Sequence, residues 1–302
     1  MNVPECWLTE KDAKTIMMVG VGGGFDIFVG LPFVHKWPEK QFILVNSSPD
    51  SSFLLEESNP DKEEHYPQNQ ISQHPNIIAN YTVGKHGTGL LKKVYDEIIE
   101  KHKPDLILGV DGGVDSLMVG DEAEKGTILE DFNVLGALSQ LDIEHKVLCC
   151  AGFGAETEEN VNHYRVLENI AKISADGWFY GSFSLMNWWQ EFIFYKVRCE
   201  SAWENNRRKS HIQTKIISAA EGAFPNNKYE DVDARVTGST DVTFVSPLSS
   251  IYWLFNLDKV VERNKLIPFL KKANTFIDSK MILRQHIGLP SSSTRTKEVI
   301  PL

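Results

Sequence analysis

Apolar residues along this chain fall into short continuous runs, each closed by glycine, asparagine or an acid. Ile16-Met-Met-Val19 leads into Gly20-Val-Gly22-Gly-Gly24, Phe42-Ile-Leu-Val45 stops at Asn46, Leu106-Ile-Leu-Gly-Val110 at Asp111, and Val147-Leu-Cys-Cys-Ala151 at Gly152. Short apolar runs bounded by turn signals read as strands buried on both faces, the pattern of a parallel sheet. Asn76 to Val83 is strand-like too. Between these runs Leu90-Leu91, Val94-Tyr95 and Ile98-Ile99 recur at helical steps, and Ile128 to Leu138 predicts a second amphipathic helix. A helix is also expected to begin within Phe28 to Trp37.

The C-terminal half alternates less cleanly. Asn162 to Ile173 reads as a helix, Gly177 to Ser184 as an aromatic loop or short strand, and Ser184 as the cap of a long helix through Trp188, Trp189, Phe192, Phe194 and Tyr195. Aromatic stripes at such spacings are core-facing as a rule. A helix near Ile212 to Ala220, a last strand at Asp241 to Val245 and a last helix at Leu266 to Phe276 complete the expectation. The segment 56–75, with clustered acids and three prolines, reads as an exposed insertion or cover. The predicted fold class is α/β, a Rossmann-like three-layer sandwich with a mostly parallel central sheet. It forms a single domain over 1–288, with a core over about 14–155, a helical and aromatic-rich elaboration over 156–288, and a poorly ordered tail over 289–302.

Composition leaves that picture standing and removes several functions from it. The 302 residues are 42% hydrophobic and 24% charged, too apolar for a disordered chain. A net charge of −10 counts against nucleic-acid binding over a broad face, which needs basic surface. Arg207-Arg208-Lys209 is the one basic triplet and reads as a solvated face. The cysteines Cys6, Cys149, Cys150 and Cys199 form no CxxC pair, so they are expected as core thiols in a reducing, cytoplasmic setting. No apolar run approaches the roughly 20 residues of a membrane span. A homo-oligomer stays open.

Candidate chemistry collects at the strand ends. Gly22, Gly23 and Gly24 before a helix fit either an anion cradle or a tight turn, and Asp26 just beyond them argues against a bare anion. Phe25 stands where a dinucleotide fingerprint needs its third glycine. Asn46 fits a diol contact or a turn cap. Lys85 and His86, between Gly84 and Gly87, fit an anion site or an ordinary loop. Asp111-Gly112-Gly113-Val-Asp115, followed by Asp121-Glu122, delivers four acids around flexible backbone. Asp111 and Asp115 are therefore expected to ligate Mg²⁺ or Mn²⁺, or to bind hydroxyls, with Glu122 orienting water; the plainer reading makes Asp115 and Asp121 turn and helix caps. Thr127 with Glu130 fits a capping box. Gly152 and Gly154 close the next strand before Glu156. His163 and His86 are candidate acids or bases. In an open parallel sheet these ends share one edge, where α/β proteins bind ligands.

Gly22-Gly-Gly-Phe-Asp26, Asp111-Gly-Gly-Val-Asp115-Ser-Leu, and Gly120-Asp-Glu followed by Gly126-Thr together resemble the DUF1152 family of uncharacterised proteins, over about residues 15 to 285. The resemblance implies a Rossmann-like sheet and no particular chemistry. The functional expectation is an enzyme on a phosphorylated or nucleotide-like small molecule, a metal-dependent hydrolase or transferase with Asp111, Asp115 and Glu122 as catalytic groups. The alternative is a non-catalytic nucleotide- or metabolite-binding protein.

Overall fold

Strands that are apolar at every position have to be covered on both faces, and the chain does this with helices on either side of one sheet. The computed structural model describes residues 1–57, 71, 74–206, 209–229, 243–287 and 295–300. Its strands are β1 (Thr15–Gly20), β2 (Gln41–Ser47), β3 (Leu55–Glu57), β4 (Ile77–Val83), β5 (Leu106–Gly112), β6 (His145–Ala151), β7 (Phe179–Ser184) and β8 (Ile251–Asn256). They form one sheet in the order β3-β4-β2-β1-β5-β6-β8-β7. The central pairs β4-β2, β2-β1, β1-β5 and β5-β6 are parallel; β3, β8 and β7 join antiparallel.

Alternate residues feed two apolar layers. Met17 and Val19 face a cluster that includes Leu91, Val94 and Tyr95 of α2 (Thr88–His102) and Phe132 and Leu135 of α3 (Leu129–Leu138). Ile16 and Met18 face the opposite cluster, with Phe33 of α1 (Leu31–Lys36), Tyr195 of α5 (Gln190–Asn206) and Ile216 of α6 (His211–Ala220). The helix α4 (His163–Ala175) adds Val166 and Ile170 to the first layer. All four cysteines are buried and free. Among the described residues, no helix is long and apolar enough to cross a membrane.

Three expectations change. The last strand is Ile251–Asn256 and not Asp241 to Val245, of which 241–242 lie outside the described residues and Phe244 makes only an isolated bridge to Asn226. The helix expected over 266–276 is split into α8 (Ile267–Leu270) and α9 (Phe276–Ile287), after α7 (Leu257–Arg263). The break comes from reciprocal capping, in which Asp278 N donates to Thr275 Oγ1 at 3.0 Å and Thr275 N to Asp278 Oδ2 at 3.0 Å. Ser184 ends β7 instead of capping α5, which starts at Gln190. The triplet residues Arg207 and Arg208 and most of the insertion 56–75 lie outside the described residues. So do 288–294 and 301–302 of the tail, while its segment 295–300 is held in place, as shown below.

Candidate functional site

The strand order reverses between β1 and β5. β1 leads outward to β2 on one side, and β5 to β6 on the other, so a crevice opens at their C-terminal ends. Four segments meet there. Past β1, Val21 N donates to Val110 O at 2.8 Å, which keeps the glycine turn beside β5. Gly22 has φ +147°, and a Cβ on it would lie 2.4 Å from Asp26 Oδ2 and 2.5 Å from Asp131 Oδ1. Glycine is required here because two carboxylates close in on the backbone. Asp26 opens a 3-10 turn, and its Oδ1 accepts Gly112 N at 3.2 Å. Gln213 of α6 fixes the turn by donating to Phe25 O at 3.1 Å.

Asp111 lies near the end of β5, and its Oδ2 accepts the hydroxyl of Ser116. The same hydroxyl is 3.3 Å from Cys150 Sγ. Gly113, at φ +154°, leaves room for the Glu156 carboxylate, whose Oε2 accepts Val114 N at 2.6 Å. Asp115 begins the next 3-10 turn, and its Oδ2 accepts Thr127 N at 2.9 Å. Asp131, in the first turn of α3, meets Asp115 carboxyl to carboxyl, and its Oδ2 has no hydrogen-bond partner.

Five acids thus converge: Asp26, Asp111, Asp115, Asp131 and Glu156. The last four are only 2%, 3%, 5% and 3% exposed, while Asp26 sits where the cluster reaches solvent. None of the five forms an ion pair with a described residue. Burial, followed by mutual repulsion, drives them toward the protonated form. Asp111 is pushed up to about 8 by burial and by the charge of Asp115. Asp26, Asp131 and Glu156 are raised strongly by burial and then by neighbouring carboxylates. Asp115 is raised by burial, with its contacts to Asp131 and Thr127 pulling the other way.

Of the expected site residues, Gly22, Gly23, Asp26, Asp111, Gly112, Gly113 and Asp115 come together. Gly23 faces Glu130 Oε2, and Gly24 O accepts Asn46 Nδ2 at 2.8 Å, so Asn46 braces the turn. Gly152 and Gly154, at φ +98° and +83°, bend the turn that carries Glu156 and themselves face Ile212 and Ser246. Gly87 precedes α2 and packs on the Ala273 carbonyl, outside the carboxylate cluster.

Glu122 is a correction. Its carboxylate is fully buried and accepts Val119 N, Gly120 N, Asn169 Nδ2 and the Arg295 guanidinium, which leaves it no role in orienting water. The Mg²⁺ or Mn²⁺ expected at Asp111 and Asp115 would have at most two described carboxylates to hold it. Among the described residues no three His, Cys, Asp or Glu side chains are set to hold a metal ion, and an oxygen of each aspartate is taken by Ser116 or Thr127. The anion-cradle reading of Gly22 to Gly24 also loses ground, because the turn is lined by carboxylates and α1 is only six residues long.

The Thr127–Glu130 capping box does not form. Thr127 donates to Asp115, and Glu130 pairs with Lys85. His86 Nε2 is tied to Phe53 O at 2.7 Å. Burial lowers His163 to about 4, and its Nε2 is unpartnered. In the sequence, Glu156 comes to the shared edge with Gly152 and Gly154 without being given a role, and Asp131 is not singled out. The signal for Asp131 was an acid at the start of a helix whose residues from Asp131 to Leu138 are all buried.

Among curated proteins, none matches this chain. The family described as "Protein of unknown function (DUF1152)" matches residues 69–290, which include Asp111, Asp115, Asp131 and Glu156, and the chain belongs to that family.

Proposed function

We propose that this protein is an enzyme that performs hydrolysis or group transfer on a polar small molecule, using Asp115 and Asp131 as a proton-exchanging carboxyl pair at the β1/β5 crevice. The observation that carries this reading is the convergence of five carboxylates from three strand ends and one helix, none of them ion-paired and one oxygen of Asp131 unpartnered. Two carboxyl groups in contact cannot both ionise freely, so one holds a proton while the other is a base. The ionised member takes a proton from an attacking water or hydroxyl, and the protonated member delivers one to the leaving group. Asp111, raised to about 8, adds a protonated carboxyl at neutral pH. A bare phosphate is repelled by this lining. A phosphorylated or nucleotide-like substrate would therefore keep its anion at the rim, where Lys85 stands.

The strand order and the two apolar layers support a Rossmann-like three-layer arrangement around this crevice. Four buried, unpaired thiols support a cytoplasmic setting. The test is a turnover screen of polar metabolites with the wild-type protein, Asp115→Asn and Asp131→Asn, the fold being followed by circular dichroism. Each substitution is expected to cut turnover at least about 100-fold, the scale of general acid–base catalysis. Turnover unchanged in both variants overturns the assignment, and binding without turnover by the wild-type protein makes the chain a metabolite-binding protein instead.

A further inference from the structure

We propose that the ligand of this crevice is a small primary amine that also carries an anionic group: its ammonium is received between Asp26 and Asp131, and its anion engages Lys85 at the rim. The proposal rests on the site reading above and adds the chemical class of the ligand. Its first ground is geometric. Asp26 Oδ2 and Asp131 Oδ1 both lie within 2.5 Å of the point a Gly22 Cβ would occupy, so the two carboxylate oxygens are within about 5 Å of each other, a separation one ammonium can span. An ammonium has three rotatable donors, each reaching a carboxylate oxygen at about 2.8 Å, and can bridge such a pair.

The second ground is the unpartnered Asp131 Oδ2, on a residue only 5% exposed. A buried acceptor left without a donor costs free energy that a ligand N–H recovers. Other occupants serve the site less well. A divalent metal would find no set of three His, Cys, Asp or Glu side chains arranged to hold it among the described residues. A polyol supplies donors but leaves the negative charge uncompensated. A dianion meets repulsion from every side.

The rim supplies the opposite sign. Lys85, on the connection between β4 and α2, pairs with Glu130 and lies 4.3 Å from the centre of the Phe276 ring. Glu130 Oε2 in turn stands 2.6 Å from the Cβ position of Gly23, so the pair sits over the glycine turn. Both partners are partly exposed, with side chains 27% and 36% accessible. Exposed pairs of this kind contribute little, so a ligand carboxylate or phosphate can replace Glu130 on Lys85 at small cost. The resulting ligand has one cationic and one anionic end, as in an amino acid or an aminoalkyl phosphate.

The experiment is isothermal titration calorimetry of the full chain near neutral pH with 4-aminobutyrate, O-phosphoethanolamine, butylamine, succinate, glycerol 3-phosphate and MgCl₂. At least one of the first two is expected to bind, and which of them binds identifies the anion as carboxylate or phosphate. Asp131→Asn is expected to weaken it at least about tenfold, the equivalent of one charge-assisted hydrogen bond. Lys85→Met should weaken it comparably while leaving butylamine unchanged. Asp26→Asn serves as the second probe if Asp131→Asn unfolds. The ligand class is overturned if succinate, glycerol 3-phosphate or MgCl₂ binds as tightly as the amines, or if none of the amines binds. If one of those other ligands binds and is lost in Asp131→Asn, the class fails while the site reading stands. If an amine binds equally to Asp131→Asn and Asp26→Asn, both fail.

Discussion

The carboxyl of Asp131 meets that of Asp115, and its Oδ2 is buried without a hydrogen-bond donor, an arrangement that costs stability. Asn has the same shape, and its amide donates to Asp115 without adding charge. Asp131→Asn is therefore expected to stabilise the free protein by about 1 kcal/mol at pH 8 while removing function, the trade-off usual at active sites. Urea unfolding of both proteins at that pH measures it; a variant clearly less stable than wild type would mean that Asp131 is a structural acid. The glycines beside it separate by what they face. At Gly22 a methyl group meets two carboxylate oxygens in a left-handed conformation, so Gly22→Ala should cost about 2–4 kcal/mol. At Gly24 nothing lies within 4 Å, and Gly24→Ala at φ +66° should cost only about 1 kcal/mol. Thermal denaturation of the two variants side by side gives the comparison, and equal losses would show that Asp26 and Asp131 do not crowd the turn.

Among the elements, the connection from β5 to α3 ties the site to the far end of the chain. Arg295 lies across it with Nε on Asp121 Oδ1 at 3.0 Å, Nη1 on Glu168 Oε2 at 2.6 Å, and Nη2 on Glu122 and Asn169. Its backbone pairs with the same connection, Arg295 N to Asp121 O at 2.6 Å and Ala123 N to Arg295 O at 2.7 Å. The connection ends in Gly126 and Thr127, which hold Asp115. Arg295→Ala leaves the fully buried Glu122 without its counter-charge and should cost about 3–5 kcal/mol. Hydrogen exchange should accelerate over 119–127 in the variant; unchanged protection there would mean that the tail does not order the connection. This pairing also marks where the sequence stops being legible. Asp111, Asp115 and Glu122 look alike as acids beside glycines, and what sets Glu122 apart as structural includes Asn169 of α4 and, 173 residues away, the counter-charge of Arg295. The strands β1, β2, β5 and β6 were readable because burial on both faces makes them near-continuously apolar, as in Phe42 to Val45, whereas β4 carries Asn80 and Thr82 and leaves Ile78 exposed. β8 was missed because Ser246-Pro247 reads as the end of an element, whereas it opens a 3-10 turn that leads straight into Ile251-Tyr-Trp-Leu-Phe. Asp131 was hidden differently: a carboxylate on a buried helix face becomes a site residue only when the sheet order brings β1, β5 and α3 together.

For the whole molecule, two populations of acids pull the pH dependence of folding in opposite directions. Glu168, lowered to about 2 by hydrogen bonds from Lys172 and Arg165, and Asp121, paired with Lys265 and Arg295, are more acidic folded than unfolded. The stability they contribute is present above about pH 4.5, where an unfolded carboxylate is ionised, and is lost as pH falls through their folded values. The cluster behaves the other way. Asp111 titrates at about 8 in the folded chain and at about 4 when unfolded, so in between the folded state holds a proton that the unfolded state has released. Its contribution is full below about pH 4 and fades as pH rises toward 8, by at most about 1.4 kcal/mol per pH unit for one group. The paired acids are already fully ionised above pH 6, and the opposing rise from His163, which burial lowers to about 4, is spent by about pH 7, so the fall toward pH 8 belongs to the cluster. Stability from urea unfolding is therefore expected to fall from about pH 7 to 8, and Asp111→Asn should flatten the fall by removing the group with the titration nearest to it. A wild-type profile flat from pH 7 to 8, or a slope there that survives Asp111→Asn undiminished, would place the proton elsewhere. An amine bound between Asp26 and Asp131 supplies the positive charge the cluster lacks, so a saturating ligand should flatten the same slope in the wild-type protein, joining the chemistry of the crevice to the stability of the fold.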